Sequence, residues 1–79
     1  MFIVYILKSE SSGRYYIGMT SDLEDRLRRH NRGDTTSTRN RGPWHVVWTE
    51  PFVKKTDAWK REQQIKSYKG GEAFKQLLH

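Results

Sequence analysis

The run from Phe2 to Lys8 is apolar on both alternating sets, Phe2, Val4, Ile6 and Ile3, Tyr5, Leu7. That pattern predicts a strand covered on both faces, and so a central one. Ser11-Ser12-Gly13 supplies turn residues, and Tyr15 to Met19 reads as a second strand, which closes an antiparallel hairpin. Ser21-Asp22-Leu23-Glu24 has the form of a capping box. It predicts a helix from Asp22 to Arg32, with Gly33 as a left-handed stop. The polar stretch Asp34 to Pro43 predicts a loop, and Trp44 to Thr49 a third strand. Thr56-Asp57 reads as the cap of a second helix reaching Lys69, ended by Gly70-Gly71. Glu72 to Leu78 predicts a short third helix. The order is ββαβαα, an α+β class built on a three-stranded antiparallel sheet flanked by helices, with residues 1–79 forming one domain.

Chemistry is sought where residues violate the packing pattern. Leu23 and Leu27 mark the buried stripe of the first helix, and Arg26 and His30 fall within about 60° of Leu23 on its wheel. An inward Arg needs an anion or a polar cleft, unless its stem packs and its head reaches solvent. In the second helix Ala58, Trp59 and Ile65 mark the apolar arc, and Glu62 lies inside it. A carboxylate there needs a cation, either a metal ion or a basic side chain such as Lys66 one turn on. Two inward charges of opposite sign on different helices predict a polar cleft over one face of the sheet. Tyr5 and Tyr16 bring hydroxyls to the hairpin. Gly18, two residues after Tyr16, permits close approach of a ligand or of another segment.

Composition narrows the function classes. The chain has 79 residues, no Cys and three well-separated His, which excludes disulfide staples, thiol nucleophiles and recognisable zinc sites. Only 34% of residues are apolar, yet ten are aromatic, which favours a folded chain over a disordered one. Fifteen basic against nine acidic residues give a net charge of +6, which favours a polyanionic partner. Six of the eight Arg lie between Arg26 and Arg41, where Asp34 is the one acid, whereas all seven Lys lie elsewhere. An Arg-only cluster matches phosphate oxygens in geometry. Arg28, Arg29, Arg32, Arg39 and Arg41 are thus the expected contacts to the phosphates of a polyanion. The longest apolar run, Met1 to Leu7, is too short to cross a bilayer and lacks the flanks of a secretory signal, so a cytoplasmic location is expected.

Ile3-Val4-Tyr5 followed by Tyr16-Ile17-Gly18 resembles the two halves of the motif that names the GIY-YIG nucleases, with Ile3 where the first half usually has Gly. The segment Gly18 to His30 is similar to that family's catalytic helix, with Arg26 and His30 at its Arg and His positions. Thr38-Arg39, Pro43-Trp44 and Arg61-Glu62-Gln63-Gln64-Ile65-Lys66 resemble its small stand-alone bacterial members. Ser67 to His79 lacks the late Asn that many relatives carry. The resemblance implies a metal-dependent nuclease cutting phosphodiester bonds in DNA, or secondarily RNA, whose backbone Arg28, Arg29, Arg32, Arg39 and Arg41 would hold, with Trp44 and Trp48 as candidates for stacking on bases and a place in the core as the alternative. In it Tyr16 or Tyr5 would be the general base, Arg26 would meet the scissile phosphate, His30 would assist, and Glu62 would hold one Mg²⁺ or Mn²⁺. The alternative is a basic nucleic-acid-binding module on the same scaffold without cleavage.

Overall fold

The computed structural model describes residues 1–33 and 42–78. Within them lie β1 (Phe2–Ser9), β2 (Tyr15–Thr20), α1 (Leu23–Arg32), β3 (Trp44–Phe52), α2 (Lys55–Ser67) and α3 (Glu72–Leu77). The order is the ββαβαα read from the sequence. Both neighbours of β1 pair with it antiparallel, in the order β2-β1-β3. The doubly apolar strand is therefore the central one. Val4, Tyr5, Ile6 and Leu7 are all buried.

Alternation in β1 divides the core into two layers. Val4 and Ile6 point to one face, where they pack with Ala58 and Ile65 of α2 and Phe74 of α3. Tyr5 and Leu7 point to the other, with Trp44, Tyr16, Val46 and the α1 residues Leu23 and Leu27. Each fully buried aliphatic side chain contributes roughly 1.5–3 kcal/mol of apolar transfer. The α2/α3 face, which holds most of them, is the main source of stability.

Several local predictions shift. The capping box at Ser21 does not form. Asp22 is the N-cap instead, and its carboxylate accepts from the Asp25 N–H at 3.1 Å. The Asp22 backbone stays extended because the Thr20 hydroxyl accepts its N–H at 3.1 Å, which delays the helix by one residue. Gly33 does end α1 in the left-handed conformation at φ 82°, and its N–H closes on the carbonyl of His30. β3 continues three residues beyond Thr49, through Pro51 to Phe52. As an edge strand it tolerates the missing N–H of Pro51. α2 starts at Lys55 without a side-chain cap, so Thr56 and Asp57 sit in its first turn, and it ends at Ser67. A register shift between Ile6 and Leu7 lets β3 set Trp44 and Val46 against α1 but Trp48 and Phe52 against α2.

The Asn31 side chain clasps the start of β3. Its amide donates to the Trp44 carbonyl at 3.1 Å, and its oxygen accepts the Trp44 N–H at 2.6 Å. The end of α1, with His30, is thereby fixed against the sheet.

Candidate functional site

The site begins at the hairpin register. Tyr5 pairs with Gly18 and Leu7 with Tyr16, so Tyr5, Tyr16 and Gly18 share the face that α1 covers. A Cβ on Gly18 would lie 2.6 Å from Tyr5 Cζ, closer still to the Tyr5 hydroxyl, and 3.1 Å from Tyr16 Cε1. The close approach that the sequence allows at Gly18 is thus made by the protein itself. The missing side chain is what lets the Tyr5 ring lean across β2.

His30 comes down from α1 onto both tyrosines. It is 1% exposed, and its Nε2 lies 3.2 Å from the Tyr5 hydroxyl, a hydrogen bond whose proton direction follows the imidazole tautomer. The Tyr16 and His30 rings are 4.6 Å apart between centroids, and those of Tyr5 and Tyr16 6.3 Å. Burial pushes the Tyr5 phenol well above its ordinary range. The neighbouring Tyr16 adds to this, Arg26 partly opposes it, and Glu62 raises it further. Burial likewise lowers the His30 imidazole, and the positive charge of Arg26 lowers it more. At neutral pH the pair is therefore an uncharged phenol against an uncharged imidazole.

The helices that carry Arg26 and Glu62 cover opposite faces of the sheet, so the two charges do not share a cleft over one face as the helical wheels suggest, although both act on the Tyr5 phenol. Arg26 is half-buried and, among the described residues, makes no side-chain hydrogen bond or ion pair. The Glu62 side chain is 13% exposed, and Lys66 Nζ lies 3.4 Å from its carboxylate. The helix-face ion pair foreseen for Glu62 is present, but with a Lys half open to solvent. Among the described residues no group of three or more His, Asp or Glu gathers as a metal cage. Glu62 is thus a lone, largely covered carboxylate. That donor set suits a hard cation that keeps its waters and takes further oxygens from a phosphate.

The expected backbone contacts divide. Arg28, Arg29 and Arg32 are exposed on α1. Arg29 Nε lies 2.9 Å from Asp25, and an Arg28 nitrogen 3.9 Å from the same carboxylate. Arg39 and Arg41 lie outside the described residues. The aromatic expectations reverse. Trp44 is 4% exposed in the α1-side core, and Trp48 is half-buried with the Arg61 guanidinium 5.6 Å above its ring. Trp59, read as part of the apolar arc of α2, is instead 54% exposed. It follows buried Ala58 by one residue, which turns it about 100° away from the sheet. Sequence reasoning also missed Asn31 and Arg61. Arg61 donates to Glu50 of β3 at 2.8 Å and to Gln64 at 2.8 Å. Cross-element pairs of this kind leave no periodic trace in a sequence. No described helix is long and apolar enough to cross a membrane.

Known proteins share this sequence pattern and this fold. The model of the GIY-YIG catalytic domain matches residues 1–73. A UPF0213 protein of Staphylococcus aureus is 42% identical over 66 residues, which cover 82% of this chain and 79% of that protein. The solution NMR structure of a UPF0213 protein from Bacillus halodurans superposes with a TM-score of 0.63 at 34% identity, covering 99% of this chain and 83% of that one. With the family model spanning nearly the whole sequence, and UPF0213 relatives this similar in sequence and in fold, the chain belongs to the GIY-YIG nuclease family.

Proposed function

We propose that the protein hydrolyses phosphodiester bonds in nucleic acid with the help of a divalent metal ion, DNA being the first substrate to test and RNA the second. The observation that carries this reading is a half-buried Arg26 without a counter-ion among the described residues and a largely covered Glu62 carboxylate, both acting on the Tyr5 phenol. A protein leaves a guanidinium half-buried without a counter-ion at a cost, and an incoming phosphate removes that cost.

In this reading Arg26 donates to the non-bridging oxygens of the scissile phosphate as negative charge builds there. Glu62 would hold Mg²⁺ or Mn²⁺, which would supply Lewis acidity and charge neutralisation at the phosphodiester. Attack by water on phosphorus breaks one P–O bond and releases a proton. Tyr16 is the better receiver of that proton, because burial holds Tyr5 in its protonated form. Tyr5 then serves as a hydroxyl donor, oriented by His30. His30 stays neutral beside Arg26, so it adds no charge that would compete for the phosphate. The exposed Arg28, Arg29 and Arg32 would hold the flanking backbone.

The test is cleavage of labelled branched, nicked and single-stranded DNA and RNA with Mg²⁺ or Mn²⁺, each repeated in EDTA. Cleavage that appears only with metal, and falls about a hundredfold or more in Arg26→Ala, is expected from the loss of one transition-state donor. Metal-independent cleavage, or an unaffected Arg26→Ala protein, contradicts the mechanism. Binding without cleavage on every substrate would favour the non-catalytic module.

A further inference from the structure

The three tryptophans meet different fates. Trp44 is core, Trp48 lies under Arg61, and Trp59 is 54% exposed. Trp59 makes no hydrogen bond, ring contact or cation contact among the described residues. Its place on α2 gives that exposure a direction. At about 100° per residue, Glu62, Lys66 and Trp59 lie roughly 40°, 80° and 100° to one side of buried Ala58, whereas Arg61 lies about 60° to the other. Arg61 reaches Glu50 of β3, so its flank faces the β3 edge. The opposite flank faces the β2 edge, where the Tyr5 hydroxyl lies over Gly18. Trp59 is thus one turn before Glu62, on the site's own side of the helix. Lys55 lies one turn before Trp59 on that flank, and Lys66 one turn after Glu62. Both are exposed.

A large aromatic costs solubility when it stands open to water, and lysines around it attract polyanions. Nucleic acid offers both complements at once, a phosphate backbone for the lysines and a flat base for the indole. The base must be unpaired, because within a duplex its faces are stacked on neighbours. We propose that Trp59 is the platform on which an unpaired base beside the scissile phosphodiester stacks, making the site selective for nucleic acid with an exposed base there. This rests on the nuclease reading above and specifies its substrate.

Binding tests it without cleavage. The full chain, in EDTA, is titrated against a fluorescein-labelled single-stranded oligonucleotide, the same strand as a duplex, and a fully abasic strand, with anisotropy as the readout. Trp59→Ala should weaken single-strand binding about tenfold, a typical loss for one stacked base, and Trp59→Phe should retain most of the affinity. Duplex and abasic-strand affinities should change less than about twofold in Trp59→Ala, because neither offers a free base to stack. Trp59 is exposed, so the variants should fold, and circular dichroism checks that they do. Equal losses on all three probes, or no loss on the single strand, overturn the stacking role and leave the nuclease reading standing. Failure of the wild-type chain to bind any probe overturns both.

Discussion

The two faces of the sheet are built from alternate residues of one strand and do different work. Val4 and Ile6 face α2 and α3 and pack in an apolar cluster, with Ala58, Ile65 and Phe74 among its buried members. Tyr5, their neighbour in sequence, faces α1, meets Tyr16 and His30, and leans over the bare backbone of Gly18. Both faces are densely buried, so burial alone does not tell a core from a site. The difference lies in whether the buried side chains carry groups with a preferred protonation state. The α2/α3 face supplies stability. The α1 face accepts a buried imidazole and phenol, each with a displaced titration, joined by the Tyr5–His30 hydrogen bond beside the Asn31 clasp.

The sharpest way to break that comparison is to damage the stable face. Ile65 is fully buried among Val4, Ile6, Ala58 and Phe74. Ile65→Ala should cost about 2–5 kcal/mol, read by chemical denaturation, since it removes apolar surface and leaves a cavity. A loss below about 1 kcal/mol would mean that the α2/α3 layer is not the main core. The equivalent insult to the other face is smaller in stability and larger in function. Gly18→Ala drives a Cβ into the Tyr5 hydroxyl and ring, so the ring must shift and its bond to His30 must break. Overpacking of this kind costs about 1–3 kcal/mol. The predicted nuclease activity should be lost while the fold survives. Full activity in Gly18→Ala would show that Tyr5 has no part in the site.

The third effect is the smallest and depends on pH. The folded state lowers the His30 pKa, through burial first and Arg26 second. The unfolded chain therefore binds the proton more readily, and stability is lost as pH falls below about 6.5, the ordinary imidazole value. It is fully present above that pH. Replacing His30 by Gln should flatten the dependence of unfolding free energy on pH between about 6.5 and 5, relative to the wild type. An unchanged slope would mean that His30 titrates as freely in the fold as outside it.

Much of the fold was legible because it is periodic. The double alternation of β1 announced a central strand, and Gly33 announced the end of α1. The charged positions that broke the helical pattern were also informative. Arg26, His30 and Glu62 proved half-buried, buried and largely covered respectively. What was not legible depends on non-local pairings or on a few tens of degrees of helix rotation. Ser21 and Asp22 are equally good caps in a sequence, and a hydroxyl contact from Thr20 favours the second. Trp59 is apolar and adjacent to Ala58, but one residue of helix turns it into water. Trp48 looks available for a ligand until Arg61 comes to cover it from α2. The role of Gly18 as the seat of a particular ring needs the register of Tyr5 opposite it.

The central claim is that Glu62, the largely covered carboxylate of α2, makes this scaffold a metal-dependent nuclease, and Glu62→Gln tests it most directly, because it removes the charge and keeps the shape. Cleavage by the wild type and the variant is compared in Mg²⁺ or Mn²⁺, alongside their binding of a non-cleavable substrate analogue in EDTA. The account predicts that cleavage falls by about two orders of magnitude or more, as for loss of an essential transition-state interaction. Metal-free binding should stay the same or tighten slightly, because the lost carboxylate repels phosphate. Undiminished cleavage by Glu62→Gln would contradict the assignment of the metal to this residue, and with it the mechanism built around it.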